Sequence, residues 1–202
     1  MNEIIDHVIR IYAPLSLIVY GSYADGSNNE NSDFDALVIT ADHEIFHDTS
    51  CVNGVQLDVF VYPESHFNGD IDPDEFLQIF DGKIILDHDD CGKDLQRRVC
   101  AYIEGLPQKT DDEIKSLVDW CAKMRLRARR RDAEGMFRWH WLLTDSLEIF
   151  CNIKKHFYFG PKKTLRWMQQ EHPESYALYE KALREMSADA LDKWIAHLEN
   201  II

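Results

Sequence analysis

The sequence predicts an α+β region over residues 1–106, with one small mixed twisted sheet and flanking helices, followed by an all-α antiparallel helical bundle over 107–202. Three observations lead there. Up to residue 106, short apolar runs of strand character alternate with segments of helical periodicity. Gly105-Leu106-Pro107 then interrupts the chain as a boundary signal. Beyond it no segment reads as a strand, and helices with recognisable starts follow one another.

Residues 2–12 carry Ile4, Ile5, Val8, Ile9 and Tyr12 on one helical side, and Pro14 ends the segment. Strands are expected near 16–20, 34–40 and 55–62. The third is rich in β-branched and aromatic residues and is bounded by Asn53-Gly54 and Pro63. A helix over 73–80 opens on Pro73, which suits a first turn. Asp81-Gly82 turns the chain into a fourth short strand, Lys83 to Asp87, and a helix over about 91–104 follows.

In the second half, Thr110-Asp111-Asp112-Glu113 has the pattern of a capping box and begins a long helix to about Arg131. A second helix over about 133–157 presents Trp139, Leu142, Leu143, Leu147, Phe150 and Ile153 as an apolar face. Gly160-Pro161 breaks the chain, and helices are expected at about 162–171, 173–186 and 188–201. All five Trp lie in this half, where most are expected in the core or at interfaces.

Composition bounds the function. The chain has 202 residues, 45% of them hydrophobic, which is normal for a globular protein with a core. No apolar run approaches the roughly 18 residues of a membrane span. The start shows no basic segment followed by an apolar one, so no signal peptide is expected. Five cysteines are odd in number, widely spread and without zinc spacing, which reads as reduced thiols in a cytoplasmic protein. The net charge of −14 argues against nucleic acid, a dense polyanion that clustered Lys and Arg normally bind. The one basic run, Arg125 to Arg131, has helical spacing and reads first as a solvated helix face. Whether the chain is a monomer or a homodimer stays open.

The chemistry-bearing stretch is Gly21-Ser22-Tyr23-Ala24-Asp25-Gly26-Ser27, followed by Ser32-Asp33-Phe34-Asp35. An apolar run precedes it and another, Ala36-Leu37-Val38-Ile39, follows. Alternation along a strand puts Asp33 and Asp35 on one face. Two carboxylates so close repel each other unless a cation lies between them. Mg²⁺ takes such oxygen ligands and bridges to substrate phosphates. Gly21 permits a sharp turn and close approach to a phosphate, and Ser22 can open a short helix whose N–H groups face it. A third acid is expected on a neighbouring strand, and Asp58 supplies it at the centre of the apolar run Val55 to Tyr62. It is read either as a metal ligand or as the base that takes the acceptor's proton.

These residues resemble the pattern of the nucleotidyltransferase superfamily that includes DNA polymerase β and the aminoglycoside and lincosamide nucleotidyltransferases: Gly-Ser, about ten residues, Asp-x-Asp, then a later acid. The motif-bearing resemblance covers roughly residues 15–62. It implies an enzyme that moves a nucleoside monophosphate from an NTP, by expectation ATP, to an acceptor hydroxyl. It also implies two Mg²⁺ ions held by Asp33, Asp35 and Asp58, and triphosphate contacts from Gly21, Ser22 and Ser32. Many members carry an Arg in the turn after Gly-Ser, and here Asp25 stands in that place.

The acceptor expected is a neutral or cationic hydroxylated small molecule, with an aminoglycoside-like or lincosamide-like antibiotic as the nearest analogy. A protein hydroxyl, or a non-catalytic nucleotide-binding module, is the alternative. Lys162 and Lys163, adjacent at an expected helix N-terminus, are further candidates for a nucleotide phosphate. Asp132, Glu134, Asp145 and Glu148 are weighed as bases supplied by the helical half, each also readable as an ordinary surface acid.

Overall fold

The computed structural model describes residues 1–130 and 132–202. The chain divides into two compact units, Met1–Leu106 and Pro107–Ile202.

The first unit contains α1 (Asn2–Tyr12), β1 (Ser16–Val19), α2 (Gly21–Asp25), β2 (Phe34–Thr40), β3 (Phe46–Asp48), β4 (Cys51–Val52), β5 (Val55–Pro63), β6 (Lys83–Asp87) and α3 (Cys91–Gly105). The six strands form one mixed sheet in the order β3-β5-β2-β1-β6, with β4 paired to β5. β1 runs antiparallel to both β2 and β6, whereas β2 and β5 are parallel. The four strands read from the sequence are present. The short strands β3 and β4 were not anticipated, because three and two residues are too few to show a period.

Alternation divides the sheet into two faces. Phe34, Ala36 and Val38 of β2, with Leu57, Val59 and Val61 of β5, pack with Ile4, Ile5 and Val8 of α1. Leu37 and Ile39 of β2 pack on the other side with Phe76, Ile79, Leu95 and Val99. α3 is fastened at its start by the Asp87 carboxylate, which accepts from the N–H groups of Gly92 and Lys93 at 2.8 and 3.2 Å. The expected helix at 73–80 is a 3₁₀ segment, Pro73–Ile79, with non-helical angles at Phe76. Seven residues closed off by Asp81-Gly82 are too short for α-helix propagation to offset nucleation.

The second unit holds α4 (Asp111–Ala128), α5 (Ala133–Ile153), α6 (Pro161–Glu171), α7 (Pro173–Glu185) and α8 (Ala188–Asn200). Its core gathers Leu142, Phe150, Met168, Leu191, Trp194 and Leu198, all with almost no exposed surface. Two polar contacts cross this core: the Trp194 indole donates to Ser146 Oγ at 2.9 Å, and Tyr179 donates to the Leu143 carbonyl at 2.8 Å, whereas the buried Trp139 indole has no hydrogen-bond partner among the described residues. Trp139 and Trp194 are core residues, as expected for large apolar side chains, but Trp141 is 42% exposed. Arg131, the end of the basic run, lies outside the described residues. Arg125 and Arg129 of that run pair with Asp192 of α8, and Arg130 pairs with Asp132 and Glu134. Among the described residues no helix is long and apolar enough to cross a membrane.

The capping box expected at Thr110 is present. Thr110 Oγ1 accepts from the Glu113 N–H, and the Glu113 carboxylate accepts from the Thr110 N–H at 2.8 Å. Thr110→Ala leaves the Glu113 N–H to water, so the protein should lose about 1 kcal/mol of stability. Urea denaturation followed by circular dichroism measures it.

Candidate functional site

The site is built on the parallel pairing of β2 with β5. Their register sets Asp35 directly beside Asp58, followed by Leu37 beside Phe60 and Ile39 beside Tyr62. All six belong to the face opposite α1. Leu37 and Ile39 are buried there, and Tyr62 packs at the edge of the same cluster. Asp35 and Asp58 come one step earlier and are half-exposed. The same face therefore begins as paired carboxylates and continues as core. Asp33 immediately precedes β2 and is exposed.

Gly21 closes the site from the β1 side. The Tyr20 N–H donates to the Asp35 carbonyl at 3.1 Å, so the chain leaves β1 alongside Asp35. Gly21 then takes a positive φ of +64° and opens α2. A Cβ at Gly21 would lie 2.2 Å from Asp35 Oδ2 and 2.9 Å from its Cγ. Only a residue without a side chain fits against that carboxylate. Ser22 is buried in the first turn of α2.

The connection after α2 is held by its own side chains. The Asp25 carboxylate accepts from the Ser27 N–H at 2.8 Å. Ser32 Oγ accepts from the Asn29 N–H at 3.0 Å, and Asn29 Oδ1 accepts from the Asn31 N–H at 2.9 Å. These are the self-bonding turns that Asp, Asn and Ser favour. Asp25 thus shapes the turn.

Two neighbours escaped the sequence reading. His47 of β3 is the register partner of Phe60 and stacks on its ring at 4.1 Å with 2° between planes. Its Nε2 lies 2.5 Å from Asp58 Oδ1. The signal for it was Asn53-Gly54, read only as a boundary. Both residues take positive φ, +52° and +82°, the two-residue hairpin turn that Asn-Gly favours. A hairpin there brings the segment before residue 53 back along β5. Tyr20 is the second neighbour. Burial holds its phenol well above the usual range, and the charges of Asp58 and Asp35 push it the same way. Its hydroxyl therefore stays protonated and adds no third negative charge.

The structure thus brings Gly21, Ser22, Asp35 and Asp58 around one end of the sheet. Lys162 and Lys163 belong to the second unit, in the first turn of α6, with Lys163 Nζ 5.4 Å from the Phe159 ring centre. Among the described residues no three His, Cys, Asp or Glu side chains converge as a ready-made metal cage. Mg²⁺ does not need one, since it commonly binds through one or two carboxylates and keeps water and phosphate oxygens for the rest. An all-oxygen pair in register fits that ion.

The family model for the nucleotidyltransferase domain matches residues 1–116. The chain belongs to this family. Nucleotidyltransferase domains of this kind generally use an NTP and a divalent metal. One solved structure, a nucleotidyltransferase-like protein from Exiguobacterium sibiricum, shares 16% identity with this nucleotidyltransferase, covering 98% of this chain and 74% of that one with a TM-score of 0.41. No curated protein matches it significantly.

Gly21→Ala tests the contact that closes the site. The added methyl group meets the Asp35 carboxylate and forces a left-handed backbone on Ala. The expected loss is about 2 kcal/mol or more of stability, together with a displaced Asp35. Gly26→Ala is the control, because it has positive φ but open space around its Cβ position. Thermal melting should show the larger loss for Gly21→Ala.

Proposed function

We propose that the chain transfers a nucleoside monophosphate, from ATP by preference, to a hydroxyl of a neutral or cationic small molecule. The observation that supports this most is the register pairing of Asp35 with Asp58 beside the side-chain-free surface of Gly21. It sets two carboxylates side by side, with the backbone at the start of α2 packed directly against one of them.

In this reading Asp33 and Asp35 hold up to two Mg²⁺ ions, and Asp58 serves either as a further ligand or as the base. When bound, Mg²⁺ would neutralise charge on the triphosphate and on the reacting oxygens. Gly21 and Ser22 present the start of α2 to the β- and γ-phosphates. Ser32 contributes through the turn that sets the entry to β2. In the base role Asp58 takes the proton from the acceptor hydroxyl while that oxygen forms its bond to the α-phosphorus. The bond from the α-phosphorus to pyrophosphate breaks, and pyrophosphate leaves with the electron pair. His47 fixes one Asp58 oxygen, which orients the other.

The acceptor class follows from charge. Asp and Glu number 36 against 22 Lys and Arg. A surface of that sign repels polyanions and concentrates cations. A small hydroxylated amine therefore suits this chain better than an RNA or DNA end.

Asp33→Asn and Asp35→Asn should fold, since each relieves like-charge repulsion, but should lose Mg²⁺-nucleotide stabilisation in thermal melts. A ligand at 100 times its Kd adds about 2.7 kcal/mol, which makes the loss easy to read. Full stabilisation and turnover in both variants would overturn the metal assignment.

Asp58→Asn should lower turnover by about 10²- to 10⁴-fold. A base role leaves nucleotide affinity nearly intact, whereas a ligand role weakens both. Pyrophosphate release across a panel of nucleotides and acceptors measures turnover. EDTA should abolish that release and added Mg²⁺ restore it.

A further inference from the structure

A second built surface lies within the helical unit. Leu117 and Trp120 of α4 and Trp141, Asp145 and Glu148 of α5 line a cavity of about 340 Å³. Lys109, Leu117 and Trp120 also border an adjoining hollow that runs past Asp112 and Glu113. Positions 141, 145, 148 and 152 recur at helical spacing, so Asn152 completes one face of α5.

The walls are aromatic. Trp120 and Trp141 meet edge to face with centroids 5.6 Å apart, and Phe137 extends the ridge at 6.1 Å from Trp141. Trp141 is 42% exposed and Phe137 67%. Large aromatic side chains grouped on a surface mark a place of contact.

The rim is acidic. Four carboxylates, from Asp112, Glu113, Asp145 and Glu148, stand against one Lys109. Of the acids on or just before α5, Asp132 caps the helix by accepting from the Gly135 N–H at 2.9 Å, and Glu134 pairs with Arg130 and Arg138. Among the described residues Asp145 and Glu148 pair with no basic side chain, although both line the cavity.

Aromatic faces and unpaired carboxylates in one concave site favour an organic cation. Ammonium groups gain both from the carboxylates and from the indole faces. A hydrated metal ion would gain nothing from two indoles. The volume is that of a small-molecule pocket rather than of a protein interface. We propose that this groove binds a small organic diamine, with its ammonium groups on Asp145 and Glu148 and its carbon frame against Trp120 and Trp141. Binding there needs neither nucleotide nor metal, so it stands or falls separately from nucleotidyl transfer.

The test uses the full-length protein without nucleotide. It is titrated with 2-deoxystreptamine, a hydroxylated ring diamine, and followed by tryptophan fluorescence and calorimetry. A saturable change is expected, weakening as salt rises. scyllo-Inositol, which keeps ring and hydroxyls but lacks the amines, should give none. The D145N/E148Q variant keeps side-chain size and should lower affinity about tenfold or more. If circular dichroism shows that the double variant is misfolded, Asp145→Asn alone carries the comparison. Equal affinity in wild type and variant, an equal response to the inositol, or no saturable response to the diamine would overturn the assignment.

Discussion

Two negative charges held side by side by backbone pairing set the terms for the first unit. The parallel ladder from Phe34–Leu57 to Thr40–Pro63 leaves Asp35 and Asp58 no freedom to separate. A slip of either strand by one residue would send its carboxylate into the apolar layer under α1, where uncompensated charge is costly. The hydrophobic pattern of β2 and β5 thus fixes the carboxylates as firmly as it fixes the core. Their neighbours are arranged to bear the repulsion. Tyr20 stays neutral, His47 bonds one Asp58 oxygen, and Gly21 brings no side chain.

The second unit treats its charges differently. Most basic residues at the end of α4 are tied to acids of α5 and α8, which consumes the basic run in internal pairs. Asp145 and Glu148, which pair with no basic side chain among the described residues, are left beside Trp120 and Trp141.

Most of the fold was legible because its elements are long or sharply punctuated. Pro14, Gly105-Leu106-Pro107, Thr110 and Pro173 mark boundaries by backbone chemistry, and the structure shows a helix starting or ending close to each. The short strands β3 and β4 were illegible, since pairing with β5, rather than their own pattern, makes them strands. His47 was lost with them. It meets Asp58 only through a hairpin, and no local spacing connects residues 47 and 58. The closeness of Asp35 and Asp58 was expected from motif order, but their register depends on the parallel pairing of residues 23 positions apart, 35 with 58, which period alone does not reveal. Trp141 reads as core from its type, and only the packed bundle shows that its face of α5 is left open.

The His47 contact also has a consequence for time scale. β3 is a three-residue edge strand with two of its residues exposed. Such an edge opens locally far more readily than the central ladder. One oxygen of Asp58 is thus held by the most labile part of the sheet, while its backbone belongs to the most durable part. The carboxylate can change partner without the strand beneath it moving, so ligand exchange at this site can follow the breathing of a rim rather than any rearrangement of the fold.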